Sequence, residues 1–144
     1  PGCPPVRGKA AVVTAVQEAV LAAPVEQVWQ VVTSIEKYAW RRDIKEIRRQ
    51  DGARFVEYTK DGFSTVFTVT VQKPCCRWAF TLDNQNLHGS WEGEFQSHPG
   101  GTLVRFTERV APKKWYLRPL VKGYLKRQQA QYVEDLRRVL EEQA

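Results

Sequence analysis

No apolar run in this sequence approaches the ~20 residues that a membrane-spanning helix needs. The opening stretch from Pro1 to Lys9 has no apolar core, so no secretory signal is read in it, and residues 1–11 are expected to form a flexible leader. Methionine is absent, even from the first position, so a true start that is trimmed, processed or left out is expected. Cysteine is scarce. Cys3, Cys75 and Cys76 are odd in number and two are adjacent, a spacing ill suited to a disulfide framework or a metal site. Reduced cysteines and a cytoplasmic setting are the expectation. Histidine occurs twice. His88 points away from the core by strand alternation and His98 lies in a Pro-Gly loop, so both read as surface residues. HExxH, Walker, GxSxG and paired-cysteine patterns are missing, which leaves metal, nucleotide and serine-hydrolase chemistry without support. No metal or cofactor is expected.

What is there fits one ordinary domain over residues 12–144, with 42% apolar and 26% charged residues and no internal repeat, low-complexity tract or linker. A chain of 144 residues can bury about 68–70% of its unfolded surface and needs no staples. The net charge of +6 admits an anionic partner. Nucleic acid is not expected, because the aromatic residues sit on strand and helix faces instead of alternating with the basic ones.

The closing stretch Leu117 to Gln143 organises the rest. Leu117, Leu120, Val121, Tyr124, Leu125, Tyr132, Val133, Leu136, Val139 and Leu140 recur three and four residues apart, the spacing of one helix face. Lys122, Lys126, Arg127, Glu134, Arg137, Arg138 and Glu141 fall mostly on the other side. Pro119 suits the first turn. Such a helix needs a broad surface to lie on.

The earlier segments supply it. Val12 to Leu21 reads as a strand with two mixed faces. Pro24 is expected at the first position of a helix with the stripe Val25, Val28, Trp29 and Val32, ending near Ser34. Ile35 to Ala39 reads as a short second helix or turn. Period-two segments follow over 44–50, 53–60, 63–71, 77–83, 87–96 and 102–110. Asp51-Gly52 and Asp61-Gly62 are the hairpin signals between the first three. Gly89 and Gly93 suggest a strongly bent strand. Grouped strands with helices outside the run mean α+β, and a meander this long curls around the final helix.

Several stretches then resemble one family. They are Ala23-Pro24-Val25-Glu26-Gln27-Val28-Trp29, Ile35-Glu36-Lys37-Tyr38-Ala39-Trp40 with Ile44 and Ile47, Trp91-Glu92-Gly93-Glu94-Phe95 before Gly100-Gly101-Thr102-Leu103-Val104, and Leu136 with Val139-Leu140-Glu141. In order and spacing, over about residues 12 to 142, they resemble the START-like (SRPBCC) superfamily, in its bacterial polyketide cyclase/dehydrase and lipid-transport branch. Ala39 stands where that family usually has proline. The resemblance implies a helix-grip fold, a curved antiparallel sheet wrapped around a long C-terminal helix with an elongated cavity between them. It also implies a hydrophobic ligand such as a lipid, sterol, polyketide or quinone; some members are cyclases or hydrolases.

The inward aromatics Phe67, Phe80, Trp91, Phe106, Tyr124 and Tyr132, with Trp40 near the mouth, are expected either to line that cavity or simply to fill the core. Glu108 shares an apolar face with Phe106 and Val110, so it must be paired, protonated or beside water. Gln128, between Tyr124 and Tyr132, is its expected counterpart. A raised pKa would let Glu108 act as a general acid or base; a strand-end carboxylate reaching solvent or an arginine is the plainer reading.

Two basic clusters complete the inventory: Arg41, Arg42, Lys45, Arg48 and Arg49, then Arg109, Lys113, Lys114, Arg118, Lys122, Lys126 and Arg127. They fit docking on an anionic membrane or an acidic partner, or only a solvated face. Three functions follow: a binding module for a hydrophobic small molecule or lipid, a polyketide cyclase or dehydratase using an inward carboxylate, and an interaction protein acting through its basic surface. Oligomeric state is not legible.

Overall fold

The computed structural model describes residues 12–144, and the leader expected over residues 1–11 lies outside them. Chain order is β1 (Val13–Leu21), α1 (Val25–Thr33), β2 (Ile44–Arg49), β3 (Arg54–Thr59), β4 (Ser64–Lys73), β5 (Arg77–Asp83), β6 (Leu87–His98), β7 (Gly101–Pro112), a 3-10 turn (Trp115–Leu117) and α2 (Arg118–Gln143). All seven strands form one antiparallel sheet in the order β1-β7-β6-β5-β4-β3-β2. The meander from β2 to β7 is the one the period-two segments predict. β1 returns to pair with β7, and α1 carries the chain across to the far edge. Of the two readings of Ile35 to Ala39, a short helix or a turn, the structure takes the second, with bends and a turn and no helix.

Turn chemistry fixes the hairpins. Asp51 Oδ1 accepts from the N–H groups of Ala53 and Arg54, each at 2.9 Å. Asn84 Oδ1 does the same for Asn86 and Leu87 at 2.8 Å. At Gly101, with φ +131°, a Cβ would come 2.1 Å from the carbonyl oxygen of Leu21, so only glycine lets the β6–β7 hairpin close against the end of β1.

Pro24 caps α1 instead of opening it: its ψ of 151° is extended, and the helix begins at Val25. Val28, Trp29, Val31 and Val32 are buried, with Trp29 edge-on to Phe95 at 5.1 Å. On β1 the face left open by the sequence is settled. Ala15, Ala19 and Leu21 are buried, while Val16 and Val20 are exposed. The inner face uses alanines because α2 lies directly on β1.

The apolar stripe of α2 buries Val121, Leu125, Val133, Leu136 and Leu140. Leu120 and Tyr124, expected in the same stripe, are exposed. Gln129 and Asp135 are buried instead. Gln129 Nε2 donates to the carbonyl oxygens of Ala15 (3.0 Å) and Phe106 (3.4 Å), which ties the helix to β1 and β7. Asp135, 1% exposed, accepts from Arg42 Nε at 2.6 Å and from the Arg42 backbone N–H at 3.1 Å. Arg138 donates to the carbonyl oxygen of Trp40 at 3.0 Å. The loop between α1 and β2 is thereby clasped to the second half of α2.

Cys75 is a free thiol, whereas Cys76 is disulfide-bonded. The expectation of reduced cysteines does not extend to Cys76. Among the described residues no helix is long and apolar enough to cross a membrane.

Asp135→Ala should lower the unfolding free energy by about 1–3 kcal/mol, because it leaves the donors of Arg42 without their acceptor. Asp135→Asn, which keeps an acceptor oxygen, should lose less. Urea denaturation of both variants measures this, and an unchanged D135A midpoint would contradict the clasp.

Candidate functional site

Period-two alternation sends one face of each strand inward, and on β3 to β7 that face is aromatic. Phe55 on β3 stacks on its cross-strand partner Phe67 on β4 at 5.0 Å. Phe67 meets Phe80 of β5 edge-on at 4.9 Å, and Phe80 stacks on its partner Trp91 of β6 at 5.0 Å. Trp91 stacks on Phe106 of β7 at 5.1 Å, and Phe106 meets Tyr132 of α2 edge-on at 5.4 Å. Trp40 closes the series, edge-on to Tyr132 at 5.3 Å. The rings make a continuous wall across the concave face. Gly93 allows it: a Cβ there would stand 2.7 Å from the Trp91 ring and 3.3 Å from that of Phe106.

Between this wall and α2 lies a cavity of about 900 Å³. Trp40, Phe67, Phe80, Trp91, Phe106, Tyr124, Tyr132, Gln128 and Glu108 all line it. The aromatic set therefore borders open volume and does not fill the core completely. The exposed lining residues Lys60, Asp61 and Phe63 of the β3–β4 turn, with Leu120, Tyr124 and Arg127 of α2, mark its mouth. Trp40, expected near the mouth, instead packs on Tyr132, two helical turns further along α2 than Tyr124.

An ionic group sits in the same cavity, and the sequence pattern did not reveal it. Arg41 Nη1 and Nη2 reach Glu57 Oε2 and Oε1 at 2.6 and 3.3 Å. Asp43 lies 3.6 Å from the guanidinium, which also covers the Tyr132 ring at 5.4 Å. Arg41 belongs to the first basic cluster in sequence, but its side chain is only 17% exposed. Burial opposes its charge, yet Glu57 holds its pKa above the ordinary arginine value. Burial pushes the Tyr132 hydroxyl up, against the pull of Arg41. Two donors, Trp40 Nε1 and Arg41 Nε, are buried without an acceptor among the described residues.

Glu108 sits on β7 opposite Trp91, on the inner face as alternation predicts. It is half-buried, because the surface it keeps faces the cavity. Burial pushes its carboxyl up to about 7; the charge of Glu57 adds to this and Arg41 opposes it. Tyr124 is likewise raised, first by burial and then by Glu108. Gln128 is half-buried and borders the cavity, but no hydrogen bond joins it to Glu108 among the described residues.

The first basic cluster is largely neutralised. Besides Arg41, Arg42 pairs with Asp135, Arg48 with Glu46 and Arg49 with Glu36. In the second, Lys113 pairs with Asp83 at 2.8 Å. Glu92 is buried and ion-paired with Arg77. His88 and His98 are exposed.

The sequence profile for polyketide cyclase / dehydrase and lipid transport matches residues 12–141. No curated protein matches the chain in sequence. Among solved structures, the aromatase/cyclase Zhui from Streptomyces sp. R1128 superposes with a TM-score of 0.78 at 12% identity, covering 90% of this chain and 94% of its own. A START superfamily protein from Mycobacterium smegmatis gives 0.77 at 18% identity, over 92% and 99%. The Mesorhizobium loti protein MLL2253 gives 0.77 at 19% identity, over the same shares. At these identities the likeness establishes the helix-grip fold.

The folded state holds the Glu108 proton more tightly than the unfolded chain, whose ordinary value is 4.5. Its contribution to stability is therefore complete below that value and lost as pH rises through about 7. Glu108→Gln should flatten this part of the pH dependence and melt higher than the parent above neutrality. Thermal melts from about pH 4 to 8 test the sign; a lower melting point at the alkaline end would refute it.

Proposed function

The chain belongs to the polyketide cyclase/dehydrase and lipid-transport family, and from that premise we propose that it binds a ring-bearing hydrophobic small molecule, polyketide-, quinone- or sterol-like, between the sheet and α2. The observation that carries this reading is the unbroken aromatic wall bordering a 900 Å³ cavity that also holds Arg41, Glu57 and Glu108. Flat apolar rings stack on such a wall, and burying them supplies most of the affinity. Arg41 and Glu108, which border the cavity, favour a ligand that carries a polar oxygen beside its rings. Gln128 and Glu108 supply further polar contacts.

One arrangement favours catalysis as a second reading: Glu108 borders the cavity beside the aromatic wall, where burial pushes its carboxyl up to about 7. A carboxyl poised there both takes and returns a proton at neutral pH. As a carboxylate it would remove a proton from the carbon next to a carbonyl. As the acid it would protonate a departing hydroxyl, which leaves as water. That is the chemistry of a cyclase or dehydratase, and Glu108→Gln should abolish it while leaving binding in place.

Native and denatured masses of the purified protein test the binding reading, with a small hydrophobic adduct expected only in the native spectrum. Failure to retain an adduct, together with no uptake of added menadione (a bicyclic quinone), would contradict it. In Arg41→Met, menadione should weaken by about 10-fold or more relative to methylnaphthalene, the matched hydrocarbon, because only the quinone accepts hydrogen bonds. Taking the ratio within one variant removes any general loss of stability.

A further inference from the structure

The amino-terminal end of α2 carries a surface that the cavity does not explain. Trp115 is 85% exposed, Tyr116 55% and Leu120 69%. Tyr124 and Phe63 extend this apolar surface to the cavity mouth. Large side chains left this bare over one contiguous stretch mark an interaction site more often than chance exposure does.

The charge around the stretch is predominantly positive, although Lys113 is paired with Asp83. Lys113, Lys114, Arg118, Lys122, Lys126 and Arg127 surround it, and no acidic residue occurs between Glu108 and Glu134. The first turn of α2 has no acid and no side-chain cap, although the helix dipole favours negative charge there. Unfavourable placement of this kind is relieved when an anion approaches from outside. The rim also holds Asp61, which takes a hydrogen bond from Thr59.

The composition separates a lipid surface from a protein partner. Protein interfaces are depleted in lysine, yet most cations here are lysines. Tryptophan and tyrosine beside lysines and leucine is the make-up of segments that settle at the headgroup level of a bilayer. Lysine stems can lie along the apolar surface while their ammonium groups reach phosphates.

We infer that this end of the protein docks on anionic membrane. Trp115 and Tyr116 enter the interface, Leu120 reaches the acyl boundary, and Lys114, Lys122 and Lys126 face lipid phosphates. The contact brings the cavity mouth against the bilayer. Passage of a ligand between lipid and cavity through this contact rests on the binding reading above; docking itself does not.

Sedimentation of the intact protein with phosphatidylcholine vesicles, with and without phosphatidylglycerol, tests docking in the absence of any ligand. Binding is expected to the anionic vesicles alone and to weaken as salt shortens the reach of the charges. Lys114→Ala/Lys122→Ala/Lys126→Ala should weaken it by about 10-fold or more. Trp115→Ala/Leu120→Ala should weaken it comparably. These side chains are exposed, so circular dichroism should be unchanged. No sedimentation with anionic vesicles, or equal sedimentation with both kinds, would overturn the proposal. So would binding that ignores the Trp115/Leu120 change and is matched by soluble polyglutamate, since that identifies an acidic protein partner.

Discussion

The hold of α2 on one edge of the sheet is the constraint on which the rest depends. The helix lies on β1 and β7, where Ala15 and Ala19 let it come close and Gln129 bonds the carbonyl oxygens of Ala15 and Phe106. The sheet curls away from there towards β3. A straight helix fixed along one edge cannot also touch the middle strands, so a volume opens between them. The rings of Phe67, Phe80 and Trp91 border it without closing it.

Charge in such a volume is expensive, and its arrangement reflects that cost. Arg41 is held by both oxygens of Glu57 and by the face of Tyr132, so a buried cation keeps its proton. Glu57 spends its charge on Arg41, and a second full negative charge at Glu108 becomes unfavourable. Burial and that repulsion act together to push the Glu108 carboxyl up. The clasp of Arg42 on Asp135 holds the loop carrying Arg41 in place. Stability and site geometry thus share the same few contacts.

The sequence made the strands, the meander, the long helix and the family legible, because those depend on local periodicity. Glu108 and the aromatics Phe67, Phe80, Trp91 and Phe106 were legible for the same reason: alternation assigns a strand residue to a face. Arg41 was not, because it lies in a loop with no period and stands next to bases that are indeed at the surface. Its partner Glu57 shares a strand face with Phe55, a signal that pairs it with the core once the strand's inner face is known. On α2, periodicity over-predicted burial at Leu120 and Tyr124, since the spacing records which face is apolar and not how far the covering sheet extends. Asp135 and Gln129 interrupt that apolar face, and their burial follows from tertiary partners on β1, β7 and the α1–β2 loop. The pairing of Cys76 also escaped the spacing argument.

The most direct test of the account is to locate a bound ring within the fold. Nuclear Overhauser contacts between labelled protein and menadione would do so. The account predicts contacts from the quinone methyl and ring protons to Phe80, Trp91 and Tyr132, on the wall that α2 leaves uncovered. Contacts confined to Trp115, Tyr116 and Leu120 would instead mean that the ligand only wets the surface, and that the cavity is not the binding site.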